Sequence, residues 1–223
     1  MLHARDGAID NVRLIRALRS AVTSHPSIRL IVANPAEMVV ATDRGASIML
    51  VDGTRIEARR VVIAAGAWSP QIRGLPRPLP VVPLKGQMLA LGAGPLSHAV
   101  MGDGAYLVPR EHEIVVGSTS EHAGFDTSTT PEAIDRLRAA AASICPPLAA
   151  APLVRAWAGI RPATPDMLPI IGPDPELPRL LYACGHSRNG ILLAPATACA
   201  IAALVQDKQP EWDLAAFSIS RFA

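Results

Sequence analysis

Apolar positions along the chain follow two patterns, and each pattern predicts a different kind of element. A three-to-four-residue period, typical of an amphipathic helix, follows Asp10, which suits an N-cap. The apolar face of this first predicted helix consists of Val12, Ile15, Leu18 and Val22. A second helix is predicted from Pro131 to Ile144, capped by Thr129 or Thr130.

The other apolar segments are short and are separated by Pro, Gly, Asn and Asp, which predicts strands. In the first third of the chain the predicted strands are 28–32, 37–42, 47–51 and 54–58. Asp52-Gly53 joins the last two and is a strong hairpin signal. The run 61–65 is continuously apolar, which predicts a strand covered on both faces. Further strands are predicted at 87–91, 105–108, 114–118 and 154–160.

The stretch most suited to bind a ligand lies near the C-terminus. A predicted strand over 180–183 leads into the turn Gly185-His-Ser-Arg-Asn-Gly190, and a predicted helix over 196–205 follows with Pro195 in its first turn. The two glycines let the backbone approach a ligand closely, and the N–H groups at a helix start offer positive partial charge. The turn departs from the G-x-S-x-G nucleophile elbow, because Asn189 replaces the second glycine and no histidine follows Ser187.

Composition describes an ordinary folded protein of one or two domains. Half of the residues are hydrophobic, and the net charge of +2 gives no electrostatic reason to expect a nucleic-acid or membrane partner. The proline-rich segment 70–83 predicts a crossing between two domains. Beyond it, strands with one interposed helix predict an α+β sheet domain rather than a second Rossmann unit. A glycine-rich stretch at 92–97 lacks the third glycine of a dinucleotide fingerprint and the room for its helix.

Cysteine usage and the absence of targeting signals predict a cytoplasmic protein. Cys145, Cys184 and Cys199 form no C-x-x-C and are expected to be small buried residues in a reducing compartment. No apolar run is expected to reach the length of a membrane span, and no signal peptide is recognised. The six histidines show no H-x-H or H-E-x-x-H spacing, so no metal site is expected.

Several motifs, taken in order, resemble one family. They are Val61-Val-Ile-Ala-Ala-Gly-Ala-Trp-Ser69, Pro83-Leu-Lys-Gly-Gln-Met88, Tyr106-Leu-Val-Pro-Arg110, Val115-Val-Gly-Ser-Thr119 with Gly124-Phe-Asp126, Trp157-Ala-Gly-Ile-Arg-Pro-Ala-Thr-Pro-Asp166 and Gly185-His-Ser-Arg-Asn-Gly-Ile-Leu-Leu-Ala-Pro-Ala-Thr-Ala198. The chain resembles the D-amino-acid-oxidase (DAO) superfamily over nearly all of its 223 residues, in the form carried by ThiO-type glycine oxidases of thiamine biosynthesis.

The resemblance implies non-covalent FAD as the cofactor. It places Ala64, Ala65, Gly66 and Trp68 beside the dinucleotide part of the flavin cofactor and makes Ala36 an adenosine-side backbone contact. It assigns flavin contacts to Gly185, His186, Ser187, Arg188, Asn189, Gly190, Ile191 and Leu192. From the residues alone, a buried strand followed by a turn glycine is the preferred explanation of Ala64 to Gly66, and the resemblance reverses that preference. Gly159 stands where covalent-flavin relatives carry their anchoring cysteine, which is why non-covalent attachment is expected.

The resemblance also implies the substrate site and the chemistry. Arg161 would clamp a substrate carboxylate, Tyr106 would line the same pocket and Arg188 would lie near substrate and flavin. Surface or structural roles remain open for the arginines, and a core role for Tyr106. The implied reaction is hydride transfer from glycine or another small amino acid or amine to flavin, with oxygen as acceptor, hydrogen peroxide as product and no catalytic acid or base.

In fold terms the resemblance implies an α/β (α+β) chain corresponding to the C-terminal two-thirds of a DAO-type fold. Segments 1–78 and 163–223 would form an incomplete Rossmann-like FAD domain, and 79–162 an antiparallel-sheet substrate domain. Family members begin with a strand, G-x-G-x-x-G and a helix, which this sequence lacks. Three alternatives therefore stay open: a non-catalytic remnant, a subunit completed by a separate nucleotide-binding chain, or a carboxylate-binding module. A homo-oligomer is equally open.

Overall fold

The computed structural model describes residues 7–42 and 45–222. Their contacts divide the chain into two compact units. Unit 1 comprises Met1–Arg19 and Leu84–Ile160, and unit 2 comprises Ser20–Pro83 and Arg161–Ala223. The ligand roles expected for the domains 1–78, 79–162 and 163–223 stay predictions.

Mixed helices and strands follow one another along the chain. The helices are α1 (Asn11–Ser24), α2 (Pro131–Ile144) and α3 (Gly190–Val205). The strands are β1 (Ala36–Thr42), β2 (Gly45–Leu50), β3 (Arg55–Ala58), β4 (Val61–Ile63), β5 (Val82–Gly92), β6 (Val100–Met101), β7 (Tyr106–Pro109), β8 (Glu113–Gly117), β9 (Leu153–Ala163), β10 (Ile170–Pro173) and β11 (Leu180–Cys184).

Unit 1 is built on a five-stranded sheet of order β6-β7-β8-β5-β9, covered by α2. The pairs β6–β7, β7–β8 and β5–β8 are antiparallel. Helix α2 begins where the sequence predicts, because the Thr130 hydroxyl accepts a hydrogen bond from the Ala133 N–H at 3.4 Å. Its buried Leu137 packs in one cluster with Leu89 and Leu107 of the sheet. Burying each leucine contributes about 1.5–3 kcal/mol, so this face holds the unit together.

Unit 2 contains two three-stranded sheets. One is the antiparallel meander β1-β2-β3, and the other has the order β10-β11-β4, with β11 antiparallel to β10 and parallel to β4. Ile63, Ile170 and Tyr182 are buried together in the core of this unit. Because β4 and β11 are parallel, the turns that follow both strands lie at the same edge of the sheet.

Several predicted elements differ from the structure. Residues 28–32 form no strand, because no other described segment pairs with them, and Ile28, Leu30 and Val32 are exposed. Strand β9 extends to Ala163, so Arg161 lies inside the strand rather than after it. The prediction of a strand covered on both faces is wrong for β4, where Val61 and Ile63 are buried but Val62 is exposed.

The C-terminal helix also begins earlier than predicted. Helix α3 starts at Gly190, so Pro195 lies inside the helix rather than in its first turn. A proline there removes one backbone hydrogen bond, which a helix of 16 residues tolerates. Cys199, on this helix, is exposed, contrary to the expectation that all three cysteines are buried.

The prediction that no apolar run reaches the length of a membrane span is wrong for the segment that contains α3. Ser187–Val205 is long enough and apolar enough to cross a membrane by length and composition, which for a single helix is weak support for a span. This helix contacts β10 and β11 of unit 2.

Helix α1 begins after Asp10, whose carboxylate accepts a hydrogen bond from the Arg13 N–H at 3.0 Å, as predicted. Its predicted apolar face is largely exposed: Val12, Ile15 and Leu18 are each more than half accessible to solvent. None of its residues is buried, so the amphipathic pattern has no partner surface within the described residues.

Candidate functional site

The turn after β11 has a tightly packed backbone. Gly185 has φ +75°, and a Cβ atom at this position would lie 2.7 Å from Cγ2 of Thr164. Two residues later Ser187 has φ +50°, a left-handed conformation that is uncommon outside glycine, asparagine and aspartate. Only glycine fits at 185, because any side chain would meet both the backbone strain and the collision.

A cavity of about 430 Å³ lies beside this turn, between the sheet and α3. We call it the turn cavity; its lining consists of Val62, Ala64, Gly66, Pro162, Ala183, Cys184, His186, Ser187, Gly190, Ala194, Thr197, Ala198 and Ile201. The exposed face of β4 is therefore one wall. The opposite wall is one face of α3, because its lining residues recur every three to four positions. The volume falls in the range of about 300–1,000 Å³ typical of small-molecule sites.

None of the described residues that line the turn cavity has a charged side chain, and the two titratable groups among them are held neutral. Burial lowers the pKa of His186, whose Nε2 lies 3.0 Å from the Thr197 hydroxyl. Burial raises the pKa of Cys184 to about 11, so this residue remains a thiol at neutral pH. Within the part of the chain that the structure describes, no side chain caps the start of α3, and Gly190, its first residue, lines the cavity. The helix start is therefore the source of positive partial charge there.

A buried carboxylate supports the strand that carries the turn. Asp174 accepts hydrogen bonds from the Tyr182 hydroxyl at 2.9 Å, Arg77 Nε at 3.1 Å and the N–H groups of Glu176 and Leu177 at 2.8 and 3.0 Å. Burial alone would raise the pKa of Asp174, but these donors outweigh it and hold the pKa below its usual range. Burial, with the bond to Asp174, raises the pKa of Tyr182. This network fixes β11 just before the turn.

The turn cavity brings together five of the residues predicted to contact the cofactor: Ala64, Gly66, His186, Ser187 and Gly190. The other residues predicted to contact the cofactor in segments 64–68 and 185–192 do not line the cavity. They are Ala65, Trp68, Gly185, Arg188, Asn189, Ile191 and Leu192. Ala36 stands apart from both segments, exposed at the first position of β1 in the meander. All of these contacts stay predictions.

The residues predicted to bind substrate lie in different parts of the fold. Arg161 is half-buried in β9, directly before the lining residue Pro162. Arg188 is exposed within the turn. Tyr106 belongs to unit 1, where its hydroxyl lies 3.9 Å from Sδ of Met88. Their shared role stays a prediction.

Eight residues of the lining are not among the predicted site residues: Val62, Pro162, Ala183, Cys184, Ala194, Thr197, Ala198 and Ile201. A signal for four of them was present, since Ala194, Thr197, Ala198 and Ile201 recur at helical spacing. Ala194 precedes the helix that the sequence predicts from residue 196, whereas α3 already begins at Gly190 and includes it.

Comparison with known proteins identifies relatives over most of the chain. Residues 1–204 match the DAO family, described as FAD dependent oxidoreductase. The glycine oxidase of Pseudomonas putida is 37% identical over 215 residues, which cover 94% of this chain and 59% of the relative. The bifunctional protein ThiO/ThiG of Synechocystis is 36% identical over 228 residues, covering 99% of this chain and 34% of the relative.

A solved structure agrees with the fold. Glycine oxidase from Geobacillus kaustophilus superimposes with a TM-score of 0.81 at 34% identity, covering 87% of this chain and 54% of that one. The chain thus spans little more than half the length of the glycine oxidases it matches. Both the predicted resemblance and the predicted α/β class are confirmed. This chain belongs to the DAO family of FAD-dependent oxidoreductases.

Proposed function

We propose that this chain forms the flavin-ring and substrate-binding part of an FAD-dependent oxidase acting on glycine or another small amino acid or amine. The observation that carries the proposal is the turn cavity, which joins the residues after β4 to the turn after β11 and the uncapped start of α3. These are the segments whose motifs carry the family resemblance.

The turn cavity fits a flat, uncharged ring system better than a phosphate group. Its walls are small or apolar, with Ala64, Gly66 and Gly190 allowing close approach to the backbone. FAD would supply a hydride acceptor at this place. Attachment would be non-covalent, because the thiol of Cys184 is held protonated and is thus a poor nucleophile. The start of α3 would stabilise negative charge on a reduced ring by electrostatic preorganisation.

Substrate would be held by its carboxylate. Arg161 and Arg188 each carry a planar, permanently charged fork that can donate two parallel hydrogen bonds to a carboxylate. Orientation of the α-carbon is then the main contribution of the protein, consistent with a cavity whose described lining residues include a neutral histidine and no carboxylate. Water would hydrolyse the imine product, and oxygen would accept the electrons to give hydrogen peroxide. The reaction would serve thiamine biosynthesis in the cytoplasm.

A specific observation favours a second candidate, a subunit completed by other residues or a non-catalytic remnant. The 223 residues contain no G-x-G-x-x-G, so the pyrophosphate of FAD finds no fingerprint here. In addition, Ile28, Leu30 and Val32 expose apolar side chains in a segment that sequence alone predicts to be a strand. Residues outside these 223, in the same or a separate chain, would then supply the nucleotide-binding half.

Flavin titration of the purified chain tests the first proposal. We expect saturable quenching of FAD fluorescence, and replacement of Ala198 by leucine should raise Kd by about tenfold or more, since overfilling a site costs about 1–3 kcal/mol. Ala202→Leu is the matched control, because Ala202 is also exposed on α3 but does not line the cavity. Absence of saturable binding, or equal loss in both variants, would contradict a flavin site in this cavity.

Comparing FAD with FMN tests whether these residues hold the whole cofactor or only its ring side. If these residues hold only the ring side, the two flavins should bind with similar Kd, because the adenine half makes no contacts here. Much tighter binding of FAD would instead point to a complete cofactor site within these residues. If the two flavins bind with similar Kd, oxidase activity should appear only after the missing nucleotide-binding half is added.

The carboxylate clamp is tested in a flavin-loaded form by Arg161→Ala. Loss of a charge-assisted bidentate contact should raise KM for glycine by roughly two orders of magnitude. An unchanged KM would remove Arg161 from this role.

A further inference from the structure

A second cavity, of about 720 Å³, lies in unit 2 and is strongly basic. We call it the basic cavity; its lining consists of Arg59, Arg60, Arg179, Val205, Gln206, Asp207 and Lys208. Four cationic side chains and one carboxylate give the lining a formal charge of +3, more than the +2 of the whole chain. Positive charge is therefore concentrated in this cavity, and positive and negative side chains nearly cancel in the rest of the chain.

The basic cavity is separate from the turn cavity. Arg60 directly precedes β4 and Arg179 directly precedes β11, so both lie at the N-terminal ends of two parallel strands. The turn cavity lies at the opposite ends. The five residues of β11 separate the two edges by roughly 15 Å.

The charge is not explained by capping of α3, whose C-terminal carbonyls already have donors. The carbonyls of Ala202 and Ala203 accept from the Gln206 N–H, and that of Leu204 accepts from the Asp207 N–H. Arg60 donates from Nε to the Val205 carbonyl at 3.0 Å and also pairs with the Asp207 carboxylate. Arg60 therefore satisfies both the helix end and the one acid in the lining.

Three further cations line the same cavity: Arg59, Arg179 and Lys208. Lys208 Nζ donates to Oε1 of Gln206 at 2.8 Å, which is a neutral partner. Within the described residues Arg59 forms no ion pair. The lining as a whole has a formal excess of positive charge, which favours an anionic ligand.

We propose that the basic cavity binds a small ligand carrying an oligophosphate group. Arginine donates two parallel hydrogen bonds to phosphate oxygens, and three arginines line this one cavity. Among the described residues of the lining, Val205 is the one apolar side chain, so a hydrophobic ligand would find few contacts. The cations surround a cavity of small-molecule size rather than following an extended ridge, which favours a small ligand over a nucleic-acid backbone.

Isothermal titration calorimetry with inorganic pyrophosphate, at constant ionic strength, tests this proposal. We expect saturable binding with one site per chain, and Arg59→Ala and Arg179→Ala should each weaken it by about tenfold or more. Arg136→Ala is the matched control: it removes the same charge from an exposed position on α2 of unit 1 and should leave Kd unchanged. Pyrophosphate should also raise the Tm of the unmodified chain and of Arg136→Ala more than that of Arg59→Ala.

Three results would overturn the proposal. The first is the absence of saturable pyrophosphate binding. The second is equal weakening by Arg136→Ala, which would show only a general charge effect. The third is binding of a single-stranded oligonucleotide through Arg59 and Arg179 without binding of pyrophosphate, which would assign the cavity to nucleic acid.

Discussion

Replacement of Gly185 by alanine tests the packing of the turn that carries the candidate site. The Cβ atom of alanine would lie 2.7 Å from Cγ2 of Thr164, well inside van der Waals contact. Thr164 cannot easily move away, because it is buried and its hydroxyl donates to the Leu168 carbonyl at 2.7 Å. The backbone at Gly185, with φ +75°, adds the strain of a left-handed conformation.

Gly53→Ala provides a matched control in the same unit. Gly53 has φ +82°, but a Cβ atom there would meet nothing within 4 Å. Left-handed strain costs about 1 kcal/mol in each variant, and the loss of unfolded-state entropy offsets part of it equally in both. Overpacking against Thr164 adds about 1–3 kcal/mol for Gly185→Ala alone. The two variants should therefore differ by about 1–3 kcal/mol in free energy of unfolding.

Urea unfolding followed by circular dichroism measures this difference. For a chain of this size each kcal/mol also lowers Tm by about 2–4 °C, so a thermal scan gives a second reading. If the two variants lose the same free energy within about 0.5 kcal/mol, Thr164 does not confine the turn. The reasoning that ties the turn to the packed core would then be refuted.

Two further predictions concern the same unit. Tyr182→Phe removes a hydroxyl that donates to a buried carboxylate, and should cost about 1.5–3 kcal/mol in urea unfolding; no loss would mean that this contact is dispensable. Burial lowers the pKa of folded His186 below the ordinary value of 6.5, so the unfolded state binds more protons and stability should fall as pH drops below about 6.5. His186→Gln should make the free energy of unfolding depend less on pH below 7.5. His112→Gln, at an exposed position, should leave that dependence unchanged. Equal slopes in the two variants would contradict the role assigned to His186.

The local pattern was sufficient for much of the secondary structure. Helix α2 has the bounds and the capping threonine that the sequence predicts, because both depend on neighbours along the chain. The hairpin at Asp52-Gly53 follows from turn chemistry in the same way. The family, too, could be recognised from motifs read in order.

The hydrophobic pattern mispredicted elements whose structure depends on contacts with distant segments of the chain. Residues 28–32 have the composition of a strand, but a strand needs a neighbouring backbone, which the described residues do not provide. Strand β4 is apolar throughout, yet its Val62 face lines the turn cavity instead of being covered. An apolar sequence indicates that side chains can be buried, but it does not indicate which part of the fold will cover them.

The sequence by itself determined the presence of the three helices, most strands, the glycine-bracketed turn and the family to which the chain belongs. Only the tertiary structure decided which residues share a cavity. Arg59 and Arg179 are 120 positions apart in sequence, and they line one cavity because β4 and β11 pair in parallel and in register. That register depends on contacts between distant segments, above all the buried core around Tyr182, which no local periodicity encodes.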